Sequence, residues 1–480
     1  MLVRSSRSHR LGLSAATLGA TACAVALTWP GGPAVAGGAG SNCPVSAPVM
    51  ATGGLANPPE LRSVGGELSI ELRASSGAAR LGAGHATALL YNRGLPAPTI
   101  RVCAGDTLKV RFVNDLDEHT NLHLHGLHVS PSGIGDNIFR DIAPGTTVNY
   151  EYEIPRSHEP GTDWYHPHMH GLTDQQVFEG LAGAMIVEHP ELDDLPAIAG
   201  LPQRVMLLQA VQKAHGRIID ADKSTAAGRR FYVNGRLNPT IAMRPGELQR
   251  WRMINASADQ FLRLRMPHTK LQVIGDDGNP LERRMPVDEI LMSPGERREI
   301  LVRGPAEGRQ LRLRTRFFRQ PFVNTQAQVL TTVVGVGDPV APRPLPGRLV
   351  PFTDLSGERV DGRRRIVFRS NFPEFTINGK LFDHMRTDAE VRRGALEEWT
   401  VRNRSGEWHN FHIHQNPFQV VAIDGRPVRR RYYQDTVAIA PWATVTLRSR
   451  FADFTGEYVF HCHLLEHEDG GMMGTVRVEA

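Results

Sequence analysis

The sequence predicts an all-β protein made of three copies of one β-sandwich unit. Three observations predict it. At about 150 residues per domain, a 480-residue chain suggests three domains. The 47 Gly and 33 Pro are a turn-rich complement that favours strands over long helices. Third, one segment recurs three times along the chain.

The recurring segment begins at a Gly and ends at an Asn nine residues later. It runs from Gly105 to Asn114, from Gly246 to Asn255 and from Gly394 to Asn403. Between these ends, apolar and polar residues alternate, as on a half-buried strand, with Gly and Asn as punctuation. A second element follows each copy: Ala143-Pro144-Gly145, Ser293-Pro294-Gly295 and Ala440-Pro441-Trp442, each leading into another alternating run. Shared spacing and shared context mark an internal repeat.

Taken in order, the chain opens with a secretory signal over residues 1–36. Arg4, Arg7 and Arg10 make a basic start, residues 11–29 are an apolar run, and Pro33-Ala-Val-Ala36 ends in an A-x-A site. Cleavage is expected after Ala36. There is no twin-Arg pair. Cys23 lacks a lipobox, because Ala20 stands where a larger aliphatic residue is wanted and the apolar run continues past it. An uncleaved anchor is the alternative to cleavage, and no later stretch is long enough to span a bilayer. The mature protein is thus expected outside the cytoplasm, secreted or held in the periplasm or cell envelope, with no stable membrane span.

The three units follow at 45–190, 200–340 and 345–480, joined by Pro-rich linkers at 193–202 and 339–346. Of the four Cys, Cys23 leaves with the signal and Cys462 lies in a metal-like motif. Cys43 and Cys103 remain and can pair in an oxidising compartment, which would pin the N-terminal segment to the first unit. The net charge of +5 comes from scattered Arg residues. That describes a solvated surface better than a nucleic-acid face.

The copies differ in histidine. His119, His123, His125 and His128 follow Asn114, and His409, His412 and His414 follow Asn403, whereas the stretch after Asn255, Ala256-Ser-Ala-Asp-Gln-Phe-Leu-Arg-Leu264, holds no His. The middle unit therefore reads as a spacer, and metal chemistry is expected where the first and third units meet. Four His-rich motifs carry it: His123-Leu-His125-Gly126, Trp164-Tyr-His166-Pro-His168, His409-Asn-Phe-His412-Ile-His414 and His461-Cys462-His463-Leu-Leu-Glu-His467-Glu-Asp-Gly-Gly-Met472. On a strand, residues i and i+2 share a side, so each His-x-His is a two-pronged imidazole ligand. His461 and His463 share one side and Cys462 takes the other, so one strand end can serve two sites. Cys462 and His467 with a distant His409, and Met472 as a weak axial thioether, make the His2Cys set of a blue-copper site. Zinc, the usual rival for Cys/His clusters, has no redox use for such a bridge, and its structural sites seldom use Met.

These motifs resemble those of the three-domain multicopper oxidases, a laccase-like family, and the likeness covers nearly the whole mature chain. The resemblance implies three cupredoxin-like Greek-key β-sandwich domains and four copper ions. By position, it implies a type 1 copper on His409, Cys462 and His467 with Met472 axial, and a type 2 copper on His123 and His412. It implies a type 3 pair on His125, His166, His168, His414, His461 and His463. One departure is Asn410, where the family often has Pro; little effect is expected from it. His119, His128, His158, His170 and His384 are left as non-ligands, with His128 and His170 close enough to back the ligands. The family motif points to Glu468 as the acid that relays protons to O2. Asp136 is a second candidate, and its structural alternative is a turn residue.

The implied activity is one-electron oxidation of a reductant, docked at the edge of His467, coupled to reduction of O2 to water. The oxidised partners expected are phenols and aromatic amines. The third unit has only Met385, Met472 and Met473 and no acidic insert, so no dedicated port for metal ions is expected. Oxidation of cuprous, ferrous or manganous ions is the alternative. A copper-binding scaffold without activity would lack ligands, and a copper-type nitrite reductase would lack the His-Cys-His bridge. A monomer is expected.

Overall fold

The repeated segment becomes the middle strand of a three-stranded ladder in every copy. In the computed structural model, which describes residues 54–219, 228–321 and 324–480, the repeat strands are Thr107–Asp115, Leu248–Asn255 and Leu396–Asn403. Each runs parallel to an earlier strand of its copy: Glu67–Leu81, Gln203–Val211 or Gly362–Asn371. Each runs antiparallel to the strand that follows the Pro turn: Thr147–Glu153, Arg297–Arg303 or Thr444–Arg450. The two recurring sequence elements are therefore hydrogen-bonded neighbours.

The closing Asn makes the same bonds three times. Asn114 Nδ2 donates to the carbonyls of Glu118 (2.9 Å) and Ile142 (2.8 Å). Asn255 Nδ2 donates to Gln260 (2.9 Å) and Met292 (3.2 Å), and Asn403 Nδ2 to Glu407 (2.7 Å) and Ala440 (3.0 Å). In each copy the Asn Oδ1 accepts from the backbone N–H two residues on, at Leu116, Ser257 and Ser405. One amide thus satisfies loop backbone groups that burial would otherwise orphan. The turn also needs one residue with left-handed backbone, which is Gly145 (φ 70°), Gly295 (φ 85°) and, in the third copy, Trp442 (φ 65°).

Among the described residues the strands form six sheets, two to each copy. Apolar faces of the two sheets meet as in a sandwich. Leu72, Phe112 and Tyr150 pack against Val102, Tyr165 and Val187 in the first copy. Leu208, Trp251 and Ile300 meet Ile241, Leu264 and Leu330 in the second. Phe368, Trp399 and Leu447 meet Val391, Phe411 and Phe460 in the third. These are the three β-sandwiches that the sequence predicts.

Two expectations change. The alternating run of the second copy is not half-buried, because Leu248–Asn255 is buried on both sides. Its polar side faces the first copy, where Arg252 Nη1 donates to Thr162 Oγ1 (2.9 Å), while Arg250 Nε donates within its own copy to Glu299 Oε2 (2.6 Å). Beside these ions, Ala88, Leu90 and Trp164 of the first copy pack with Val205, Leu207 and Ile254 of the second in a separate apolar core. The boundary near residue 200 is also not clean, since strand Arg217–Ile218 joins the first copy's sheet opposite Thr87. Short helices tie the first and third copies together. The Asp469 carboxylate accepts from the N–H groups of Gly171 (2.7 Å) and Asp174 (2.8 Å) at the start of helix Thr173–Phe178.

Cys103 is disulfide-bonded. Its predicted partner Cys43, like the signal at 1–36, lies outside the described residues. Among the described residues, no helix is long and apolar enough to cross a membrane.

Candidate metal centre

Strand pairing builds the site from register upward. His123–His125 pairs with Gly161–His166 so that His123 stands opposite His166. In the third copy His412 stands opposite His461. Rings two residues apart share a side, as expected: the centroids of His461 and His463 are 5.4 Å apart, and those of His412 and His414 are 5.1 Å apart. The two copies then interleave. The His123 ring stacks on His414 and the His125 ring on His412, each with centroids 3.9 Å apart.

Backbone carbonyls decide which ring nitrogen carries a proton. A carbonyl can only accept, so a ring nitrogen within hydrogen-bond reach of one is the N–H. His166 Nδ1 lies 2.8 Å from Pro167 O, His412 Nδ1 lies 2.9 Å from Asp435 O, and His461 Nδ1 lies 3.2 Å from Cys462 O. The opposite nitrogens, Nε2 in all three, therefore present lone pairs to the interior. His166 Nε2 faces His125 Nδ1 at 3.4 Å, and His461 Nε2 faces His168 Nε2 at 3.2 Å and His414 Nε2 at 3.4 Å. His123 Nε2 and His412 Nε2 have no protein partner. Converging lone pairs repel unless a cation lies among them. A shared ion about 2.0–2.1 Å from each imidazole nitrogen sets neighbouring nitrogens roughly 3.3–3.6 Å apart, close to the spacing found. The residues fit metal.

Five groups of ligand atoms lie close enough to share an ion: His123/His125/His412, His125/His166/His463, His168/His414/His461, His123/Asp136/His414 and His409/Cys462/His467. Burial, then neighbouring histidines, holds the imidazoles of His123, His125, His414, His461 and His463 well below their usual pKa, so these rings stay neutral and able to ligate. The group with Cys462 stands on the other side of the His461–His463 strand end. Cys462 Sγ is 3.5 Å from His409 Nδ1 and 3.7 Å from His467 Nδ1. Burial pushes the thiol up to about 12, so it is a thiolate only when a cation is bound. Met472 is buried in the same apolar cluster as Cys462. Met473 packs elsewhere, with Ile138 and Val459. A thiolate, two imidazoles and a thioether favour copper over harder ions.

Both acids picked from the sequence reach the histidines. Asp136 Oδ2 is 3.0 Å from His123 Nδ1 and accepts from Gln415 Nε2 at 3.0 Å, and burial raises its carboxyl to about 7. Asp136 is therefore not merely a turn residue. Glu468 lies 3.4 Å from His168 Nδ1 and 3.2 Å from His461 Nδ1, at ion-pair distance though not aligned as hydrogen bonds. Burial and then Asp469 hold it well above the usual carboxylate range. Of the remaining histidines, His128 bonds Gln415 O at 2.6 Å and Asp453 at 3.0 Å, His119 pairs with Asp141 on the surface, and His170 packs on Phe382; none touches a ligand ring. His158 is buried and accepts from the His128 N–H at 3.1 Å.

Several neighbours were not visible in the sequence. Asp435 Oδ1 lies 3.3 Å from His125 Nε2 and 3.4 Å from His412 Nδ1. Burial alone would raise its pKa, but the Arg297 guanidinium more than offsets this and keeps Asp435 ionised. Arg297 and Gly295 come from the middle copy, so that copy is more than a spacer. A Cβ on Gly295 would press on His463 and His125 at 3.0–3.1 Å. Asn410 also has a role: its Nδ2 donates to Ser293 Oγ (3.1 Å) and Pro294 O (2.8 Å), and its Oδ1 lies 3.6 Å from Cys462 Sγ. Finally, Glu407 Oε2 is 3.4 Å from His467 Nε2. An acid therefore does stand at the edge of His467, on the repeat loop rather than on an insert.

Family models described as "Multicopper oxidase" match residues 74–192, 160–310 and 355–480. A multicopper oxidase of Staphylococcus aureus is 29% identical over 424 residues, covering 86% of this chain and 89% of that one. A solved Campylobacter jejuni multicopper oxidase, described as a metallo-oxidase, is 26% identical with a TM-score of 0.78 and covers 91% of this chain and 96% of that one. A laccase-like multicopper oxidase from Ochrobactrum sp., described as active towards lignin model compounds, is 26% identical with a TM-score of 0.77. It covers 88% of this chain and 100% of that one.

Proposed function

We infer, from the premise that this chain belongs to the multicopper oxidase family and is a copper-dependent oxidoreductase with O2 as acceptor, that it works as a laccase-like oxidase of phenols and aromatic amines. Copper bound here would take electrons singly from the reductant and deliver four of them, with four protons, to O2 to give two waters. The proposed ligands are His409, Cys462 and His467, with Met472 as a weaker thioether donor, for a type 1 ion, and His123 and His412 for a type 2 ion. His125, His166 and His463 would hold one type 3 ion, and His168, His414 and His461 the other.

The observation that carries this reading is the His461-Cys462-His463 strand end. Cys462 faces His409 and His467, while each flanking His belongs to a different triad on the opposite side. Three consecutive residues thus connect an electron-entry site to the place where O2 would be reduced. His467, with a side chain only 8% exposed, offers its Nε2 edge to a docking reductant. Phe375 stacks on its face with centroids 4.1 Å apart and shields it from water. Glu468 and Asp136, each beside a ligand ring, are the groups proposed to hold and release the protons that O2 consumes. The reading places the protein outside the cytoplasm, acting as a monomer.

A second reading, oxidation of metal ions, is favoured by Glu407 at the His467 edge, since a carboxylate there suits a divalent cation. O2 uptake by the copper-loaded protein, measured with a dimethoxyphenol, Cu(I) and Fe(II) under identical O2, separates the two. The expected result is an intense blue absorption and efficient turnover of the phenol. Far more efficient turnover of Cu(I) or Fe(II) would replace the laccase reading with the metallo-oxidase one.

A further inference from the structure

The middle copy carries no proposed ligand, yet one of its fully buried cations touches all three copies. Arg297 is fully buried, and all five of its side-chain N–H groups are used. Nε donates to Thr162 O (3.1 Å) and Nη2 to Asp163 Oδ1 (2.9 Å), both in the first copy. Nη1 donates to Asp435 Oδ1 (2.7 Å) and Nη2 to Asp435 Oδ2 (2.6 Å), in the third copy. Nη1 also donates to Gly295 O (3.3 Å) in its own copy. A guanidinium has no further donor to give. The paired bonds to Asp435 are the two-pronged geometry that fixes a carboxylate plane as well as its position.

That carboxylate is the link to the ligands. Held by Arg297, Asp435 Oδ1 points to His125 Nε2 at 3.3 Å. The same oxygen accepts from Thr436 Oγ1 at 2.8 Å, and that hydroxyl lies 3.1 Å from His412 Nδ1. The Asp435 carbonyl takes His412 Nδ1 at 2.9 Å. With Nε2 of His125 and Nδ1 of His412 directed outward at Asp435, the inward-facing atoms are His125 Nδ1 and His412 Nε2. The backbone leaves room for the clasp. A Cβ at Gly126, next to His125, would run into Arg297 Nη2 and Asp163 Oδ1, and the backbone there has φ 101°. A Cβ at Gly278 would meet the same Asp163 oxygen.

We propose that Arg297 is a positioning residue: through its two-pronged bond to Asp435 it fixes the ring orientation and tautomer of His412, the third copy's ligand to the type 2 copper, and of the neighbouring type 3 ligand His125 in the first copy. The proposal rests on the multicopper reading. Partners that orient ligand imidazoles are worth about 10–100-fold in metal affinity. The third copy's own site, on His409, Cys462 and His467, does not touch this clasp.

Arg297→Lys keeps the charge and loses the fork; Asp435→Asn keeps the side-chain size and loses the ionised acceptor. In copper-loaded protein, both variants are expected to keep the blue absorption of wild type. Both should hold type 2 copper about 10–100-fold less tightly in competition with a chelator, with an altered type 2 paramagnetic resonance signal. A purely structural role would lower the melting temperature of the metal-free protein and leave that signal as in wild type, and this result overturns the proposal. Should Arg297→Lys not fold, Asp435→Asn decides by the same readouts. Wild type with four copper ions beside variants that bind type 2 copper equally well refutes the Arg297 role alone. Wild type without copper signals refutes the reading beneath it, and the proposal with it.

Discussion

Glu468 shows what a single side chain does in this centre. It is fully buried, lies within 3.4 Å of rings from both the first and third copies, and its proton is held well above the usual range by burial and then Asp469. Such a group can be a proton donor at neutral pH. Glu468→Gln should leave the blue band and its reduction by substrate intact while slowing reoxidation by O2 about tenfold or more. Stopped-flow mixing with O2 checks this, and unchanged reoxidation at every pH would remove Glu468 from the proton path. His158, away from the ligands, gives a separate pH effect. Burial, opposed by the Glu159 carbonyl and reinforced by His128 and His189, lowers it to about 4, against a reference near 6.5. Between those values the unfolded chain binds the extra proton and the folded one does not, so stability falls as pH falls. The slope is at most about 1.4 kcal/mol per pH unit for this group. His158→Gln removes it, so the urea midpoint of wild type should drop more steeply than that of the variant from pH 6.5 to 4. Parallel curves would show that His158 does not carry the effect.

At the scale of single elements, the turn before the third ladder strand breaks its own rule. Gly145 and Gly295 take left-handed backbone at no steric cost, but Trp442 holds φ 65° with its side chain 67% exposed. A bulky residue in that region costs about 1–2 kcal/mol, and Gly gives back roughly 0.4–1 kcal/mol through the unfolded state. Trp442→Gly should therefore raise stability by roughly 0.5–1 kcal/mol, seen as a higher denaturant midpoint at constant slope. A lower midpoint would mean that the indole makes a contact that matters. The same turns explain why the fold was legible. The repeat was readable because its Gly and Asn are required by local backbone bonding at Asn114, Asn255 and Asn403, and local chemistry leaves a local signature. The ligand pairs were readable for a similar reason, since His-x-His carries its geometry in its own spacing.

Across the whole molecule the legibility ends. Arg297 reads in the sequence as one more polar residue on an alternating strand. Its partners Asp163 and Asp435 are 134 and 138 residues away, so only the packed units reveal the cluster. The full burial of Leu248–Asn255 was hidden in the same way, because Arg250 and Arg252 look solvated until Thr162 and Glu299 close over them. These junctions also bear on unfolding. The core shared by Trp164 and Ile254, together with buried ions at the seam, would be exposed if either unit opened alone. An unpaired buried charge is strongly destabilising, by about 3–5 kcal/mol. Metal-free protein is therefore expected to melt in one calorimetric transition, and resolved separate peaks for the three units would contradict that coupling.

The strand pair at residues 213–218 has a different consequence. It lies along Gly84–Tyr91, where the Thr87 N–H donates to Gly216 O at 2.8 Å and the Leu89 N–H donates to Glu179 O at 3.0 Å. Two backbone donors on that side are thereby engaged, Thr87 by the second unit's ribbon and Leu89 by the first unit's own chain. An open border of a sheet is a template on which a neighbouring chain can add its own strand and seed aggregation. By lending a short ribbon across the boundary, the second unit makes the first a poor seed for such fibrils, a protection that cutting the chain at the apparent linker would remove.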